Sequence, residues 1–143
     1  MTTWVLVADS SCAKIFETEG KGDVLHEVKD FVHPESRLHE QQISSDLPGR
    51  HAAGNGGRHL YETKTGIKEH EAIKFAKEID SQLQLGRNRD KFGKLVIVAP
   101  PHFLGVLRQN FSNSIANLIS TEVNKDLVKL NSKQILGHLP ATL

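Results

Sequence analysis

Leu95-Val96-Ile97-Val98-Ala99 is an unbroken apolar run closed by Pro100-Pro101, and no other stretch constrains the fold as tightly. A strand with one wet face alternates apolar and polar residues, whereas a strand covered on both faces need not. The run therefore predicts an inner strand flanked by helices. On its amino-terminal side, Ile67 to Leu85 places Ile73, Ala76, Ile79 and Leu83 at helical spacing. Thr65 stands as a candidate N-cap, Glu69 and Glu71 come early, and Gly86 lies where a helix would stop. On its carboxyl side, Pro101 suits the first position of a helix through Arg108, because its missing N–H would be unpaired there anyway. A short helix over Ser112 to Leu118, a weaker strand over Ile119 to Asn124 and a helix over Ser132 to Leu139, stopped by Pro140, complete this half.

Upstream, the period changes from helical to strand-like. Trp4 to Ala8 is a strand former, Asp9-Ser10-Ser11 has turn chemistry, and Ala13 to Glu17 resumes the strand pattern. Gly20-Lys21-Gly22-Asp23 is a second turn before Val24 to Val32, in which Val24, Val28 and Val32 are expected to share a face. The order predicts an α/β fold: a mixed sheet of about five strands, an antiparallel meander plus parallel strands, flanked by helices. At 143 residues, one domain spanning 1–143 is expected, and no internal repeat is visible.

Between the meander and the first long helix, His33 to Lys68 reads as a polar, glycine-rich loop, far longer than the usual connection and hence functional or disordered. From Arg50 to Lys68 it holds the cations Arg50, Arg58, Lys64 and Lys68 against the single acid Glu62. Gly54, Asn55, Gly56 and Gly57 sit among them, with His51 and His59 alongside. Cations neutralise phosphates and glycines permit close backbone approach, a combination suited to a phosphate-contacting loop. The same composition also describes a solvated loop that cannot pack. The run is neither a P-loop nor a dinucleotide fingerprint, so no nucleotide cofactor is expected. His33, His39, His51 and His59 have no compact metal-ligand spacing, and no metal site is expected.

A second basic cluster, Arg87, Arg89, Lys91 and Lys94 against Asp90, follows the long helix, with Phe92 offered as a base-stacking surface. Its ordinary reading is charge complementing a helix C-terminus. Asp9 is read as a turn residue rather than a catalytic acid. His102 and Arg108 follow the carboxyl end of the buried strand, where open α/β sheets place ligands, although the two prolines equally explain the turn there. No nucleophile–base–orienter set is recognisable, and no serine lies in a Gly-x-Ser-x-Gly context.

Eighteen basic and seventeen acidic residues give a net charge of +1, so affinity for nucleic acid must come from local patches. The lone Cys12 has no intrachain disulfide partner, Met1 to Phe16 lacks a signal-peptide pattern, and no apolar run approaches membrane-spanning length. A cytoplasmic protein without membrane insertion is expected.

Trp4-Val5-Leu6-Val7-Ala8-Asp9-Ser10, Ala13-Lys14-Ile15-Phe16, Ser45-Asp46-Leu47-Pro48-Gly49-Arg50, the stretch from Val98 to Arg108, and Lys125-Asp126-Leu127 together resemble the bacterial host attachment protein family. That family is in turn similar to the central domain of archaeal and eukaryotic class 1 peptide release factors. The resemblance implies an RNase H-like fold with a long glycine-rich loop before a long helix, and contact with tRNA or the ribosome in ribosome rescue or translation control. In release factors the loop carries Gly-Gly-Gln and promotes peptidyl-tRNA hydrolysis. Here Gly56-Gly57 is followed by Arg58, whose guanidinium has donors only and cannot act as the glutamine does. A protein-interaction module acting in host-cell attachment, with the loop ordering on a protein partner, is one alternative, and a hydrolase of peptidyl-tRNA or another RNA ester, without Gly-Gly-Gln, is a third.

Overall fold

The computed structural model describes residues 2–19, 24–32 and 56–140, and of residues 56–65 the helical backbone alone. The elements in chain order are β1 (Thr3–Ala8), β2 (Cys12–Thr18), β3 (His26–Val32), α1 (Gly56–Asn88), β4 (Lys94–Ala99), α2 (Pro101–Asn110), α3 (Asn113–Ala116), β5 (Ile119–Asn124) and α4 (Ser132–Gly137). The strands form one mixed sheet ordered β3-β2-β1-β4-β5. Pairing is antiparallel within the β1–β2–β3 meander, while β4 lies parallel to both β1 and β5. The fold is the expected α/β arrangement, a five-stranded mixed sheet with helices packed against it.

Strand periodicity divides the core into two layers. Trp4, Leu6, Ala8, Ala13, Ile15, Leu95, Ile97 and Ala99 point to the side covered by α1 and α2. Val5, Val7, Phe16, Val96 and Val98 point to the other side and meet Leu127, Val128 and Ile135. Leu95 to Ala99 have no exposed surface, which is why that run carries no polar residue. Each such Val, Leu or Ile contributes about 1.5–3 kcal/mol on burial.

Helix α1 buries a stripe of Ala72, Phe75, Ala76, Ile79 and Leu83. Asp80 is also buried; its Oδ1 accepts from the Ser112 N–H (3.0 Å) and the Ser112 hydroxyl (3.1 Å), and its Oδ2 accepts from Gln84 (2.7 Å). This carboxylate ties α1 to the start of α3. Pro100 caps α2 and Pro101 opens it, as the sequence predicts. Helix α4 begins with a capping box, in which the Asn131 side chain accepts from the Gln134 N–H (2.8 Å) and the Gln134 side chain from the Asn131 N–H (3.1 Å).

Four expectations are corrected here. Helix α1 starts at Gly56, so Thr65 is interior rather than a cap, and the stretch from Gly56 to Lys68 is helix, not loop. Gly86 does not end the helix. Lys91 N–H bonds to Gly86 C=O (2.9 Å) and Asp90 N–H to Arg87 C=O (3.0 Å), a Schellman ending whose left-handed residue is Asp90 at φ 56°. Aspartate tolerates that conformation better than most residues. Gly86 instead lies in the helix against Trp4, where a Cβ would come within 2.5 Å of the indole. Phe92 offers no stacking surface to a base, because it is buried and stacked on Trp4 with ring centroids 4.5 Å apart.

Candidate functional site

The residues singled out in the sequence fall at two ends of α1. At 1.5 Å per residue its 33 residues rise about 50 Å. At the amino-terminal end, Gly56, Gly57, Arg58, His59 and Lys64 belong to the helical backbone, while Arg50, His51, Gly54 and Asn55 lie outside the described residues. Gly66, Lys68, Glu69 and His70 are exposed, Ile67 is half-buried, and the buried stripe begins only at Glu71 and Ala72. The first turn carries no acidic residue to oppose an anion at the helix N-terminus. From Gly56 to Lys68 the helix rises about 20 Å, and at Glu69 it makes a side-chain contact with α2.

That contact lies beyond the carboxyl end of β4. His102 Nε2 sits 2.8 Å from Glu69 Oε2, and both side chains are well exposed, so the pair adds little to stability. Arg108 turns elsewhere: its Nε donates to both carboxylate oxygens of Glu122 on β5 (2.9 and 3.1 Å), and a terminal nitrogen also contacts that carboxylate. Hydrogen bonding to Glu122, then its charge, raises the Arg108 pKa further above its ordinary value. His102 and Arg108 therefore do not converge on one site. Asp9 Oδ1 accepts from the Ser11 and Cys12 N–H groups, both at 2.8 Å, which is the turn role expected of it. Among the described residues no group of three or more His, Cys, Asp or Glu is placed to hold a metal ion. His33, His39 and His51 lie outside them, and His59 lies where the backbone alone is described. No helix among the described residues is long and apolar enough to cross a membrane.

At the carboxyl end of α1 the second basic cluster surrounds a feature that the sequence did not announce. Arg87, Arg89 and Lys91 are exposed and Lys94 is half-buried. Beside Arg89 and Lys91 a groove of about 400 Å³ runs between α1 and β3, floored by Trp4 and Ile15 and walled by Val28 and Leu85. It continues past Lys29 and Gln82, whose side chains hydrogen-bond across it, into a second hollow of about 340 Å³ beside Phe31, Val32 and Ser81. A β-bulge shapes the wall: Ile15 pairs with Lys29 and Phe16 with Glu27, leaving Val28 as the extra residue. A bulge re-aims side chains, and here Val28 and Lys29, neighbours in sequence, both line the groove. Trp4 Nε1 is buried without a hydrogen-bond partner, a deficit of about 1–3 kcal/mol for a polar group in an apolar surround.

Among the described residues the large hydrophobic side chains left exposed are Val24, Val28, Val32 and Leu85. The shared face expected of the three valines is broken by the bulge: Val28 lines the groove with Ile15, whereas Val32 pairs with Cys12, which packs in the other layer. Their four-residue spacing is visible in the sequence and is the one signal that could have pointed to this side of the molecule. The bulge and the approach of Leu85 are not encoded locally.

Over residues 4–139 the sequence matches the family described as "Protein required for attachment to host cells". It is also 31% identical over 74 residues to an uncharacterized protein of Rickettsia prowazekii (strain Madrid E). That match takes in 50% of this chain and 49% of the relative, so the chain spans about half the length of the curated relative it matches. With a family match covering nearly all of its length, from β1 past the end of α4, the chain belongs to the host attachment protein family.

Proposed function

We propose that the chain is a release-factor-like module that binds tRNA or the ribosome in the cytoplasm through the amino-terminal part of α1 and the residues just before it, acting in ribosome rescue or translation control. The observation that supports this most is α1 itself, whose backbone is helical from Gly56 onward, so that Arg58, Lys64 and Lys68 stand on about 20 Å of helix at its amino-terminal end. Sheet order supports an RNase H-like body, since β1, β2 and β3 form the meander and β4 and β5 follow parallel to β1. In this reading Arg50, Arg58, Lys64 and Lys68 contact phosphates, with His51, Asn55 and His59 as further polar contacts. Gly54, Gly56 and Gly57 let the backbone come close at the helix N-terminus, where N–H groups and the dipole favour anions. The reading rests on binding, because Arg58 follows Gly56-Gly57 and a guanidinium cannot accept a hydrogen bond as glutamine does; peptide release from purified peptidyl-tRNA or stalled ribosomes tests whether bond cleavage accompanies it. The test is co-sedimentation with ribosomes and with tRNA over a salt series. Arg50→Glu with Arg58→Glu should weaken binding and flatten the log–log salt slope by about 1.4 or more for two lost phosphate contacts. Unchanged binding in the double variant sinks the reading.

A second reading, a protein-interaction module in host-cell attachment, is favoured by the exposed Val24, Val28, Val32 and Leu85 and by the family description. Pull-down from nuclease-treated lysate separates the two: non-ribosomal protein partners that survive nuclease support the second, and loss of all partners supports the first.

A further inference from the structure

We propose that the groove between β3 and the carboxyl end of α1 is a binding site for a small amphipathic anion, a carboxylate carrying an apolar chain or ring. The site lies at the far end of α1 from the RNA-contacting arm and is independent of it. Its lining is amphipathic, with Trp4, Ile15, Val28 and Leu85 facing the polar or charged Glu17, Lys29, Gln82, Arg89 and Lys91, and its volume of about 400 Å³ falls in the range small ligands occupy. Ile15, Val28 and Leu85 supply the apolar wall, and Leu85 and Val28 are nearly half exposed while the groove stands open, at 46% and 43%.

Charge sets the sign of the ligand. Lys29, Arg89 and Lys91 line the groove against the single acid Glu17. Lys29 is engaged by Gln82, but among the described residues neither Arg89 nor Lys91 has a side-chain partner. The Schellman ending with Asp90 in the left-handed conformation fixes the backbone between these two lining cations, and a ligand carboxylate gives them the partner they lack. Trp4 adds an independent observation: it is 94% buried, it lines the groove, and its buried Nε1–H is a donor without a partner, which an acceptor atom could satisfy only by a small local opening beside the groove. The bulge that turns Val28 toward the groove also interrupts the regular edge of β3, which favours a ligand seated in the groove over a strand added beside it.

Trp4 is the sole tryptophan, so its emission reports the groove directly. Octanoate, octylammonium and octanol are titrated against the full chain, with the melting temperature followed in parallel. Octanoate is expected to change Trp4 emission saturably and raise the melting temperature, with octylammonium at least tenfold weaker. Arg89→Glu with Lys91→Glu should weaken octanoate at least tenfold and strengthen octylammonium, while the ligand-free melting temperature stays within a few degrees. Val28→Ser should weaken octanoate and octanol alike. Equal response to octanoate and octylammonium, or an octanoate response that survives the double charge reversal, overturns the proposal. So does silence toward octanoate combined with quenching by a Glu- and Leu-rich peptide, which assigns the groove to a protein partner. Trp4 emission that depends on protein concentration without any ligand overturns it in favour of a second copy of the chain.

Discussion

Gly66 and Gly86 lie in the same helix, and replacing each with alanine should have opposite effects. Alanine is favoured over glycine in a helix by about 1 kcal/mol at either position, because glycine loses more backbone freedom on folding. At Gly66 nothing lies within 4 Å of the added Cβ, so Gly66→Ala should stabilise the protein by close to that amount. At Gly86 the added Cβ would stand 2.5 Å from Trp4 Cη2, 2.6 Å from Cζ3 and 3.2 Å from Phe92 Cε1. The indole cannot swing clear, since Trp4 is 6% exposed and stacked on Phe92 with an interplanar angle of 16°. Overpacking of this kind costs about 1–3 kcal/mol, which cancels or outweighs the helix gain and leaves Gly86→Ala between neutral and about 2 kcal/mol destabilised. The two variants should therefore differ by about 1–3 kcal/mol, or roughly 4–12 °C in melting temperature at this chain length. Thermal unfolding by circular dichroism measures that difference, and Trp4 emission should shift in Gly86→Ala alone. In a Trp4→Leu background the obstacle is gone, and Gly86→Ala should then gain stability as Gly66→Ala does. A Gly86→Ala protein as stabilised as Gly66→Ala in the otherwise native chain would refute the packing of Trp4 against α1.

Three further outcomes follow from single side chains. Asp80→Ala removes the acceptor for both Ser112 donors and for Gln84, and should lower urea-unfolding stability by about 2–3 kcal/mol, with Asp80→Asn losing less because one acceptor oxygen remains. Asp9→Ala should cost about 1–2 kcal/mol through loss of the two turn hydrogen bonds, whereas Asp9→Asn keeps the amide oxygen and most of the stability, as measured by chemical denaturation. Asn131→Ala breaks the capping box of α4 and should cost about 1 kcal/mol, with faster amide exchange confined to that helix.

The elements that sequence alone placed correctly are those in which burial and local chemistry agree. Leu95 to Ala99 is continuous because both faces of β4 are covered, and Pro101 opens α2 where its missing N–H is harmless. The start of α1 was not legible, because an apolar stripe marks where a helix packs rather than where it begins. Gly56, Gly57, Thr65 and Gly66 add residues of low helix propensity to a stretch without a stripe. Gly86 and Phe92 escape a local reading for a different reason: both are fixed by Trp4, more than eighty residues away in sequence, and no local pattern carries that contact. The cations of the two candidate sites were visible as composition. That Arg89 and Lys91 stand over a groove, whereas Arg108 is taken up by Glu122, depends on tertiary structure.

The bulge at Val28 also governs what the outer edge of the sheet can join. Read outward from Val28, the segment matches itself in reverse: Glu27 mirrors Lys29, His26 mirrors Asp30, Leu25 mirrors Phe31 and Val24 mirrors Val32. A regular strand with this sequence, laid antiparallel against its own copy, would set Glu27 opposite Lys29, His26 opposite Asp30, and apolar residues opposite apolar ones at the remaining steps. In the folded chain Lys29 pairs with Ile15 and Glu27 with Phe16, whose side chains enter opposite layers of the core, so the partners in that mirror fall on opposite faces. One additional residue thus places an edge that is complementary to itself out of phase with itself, and protects the sheet from zipping into its neighbour.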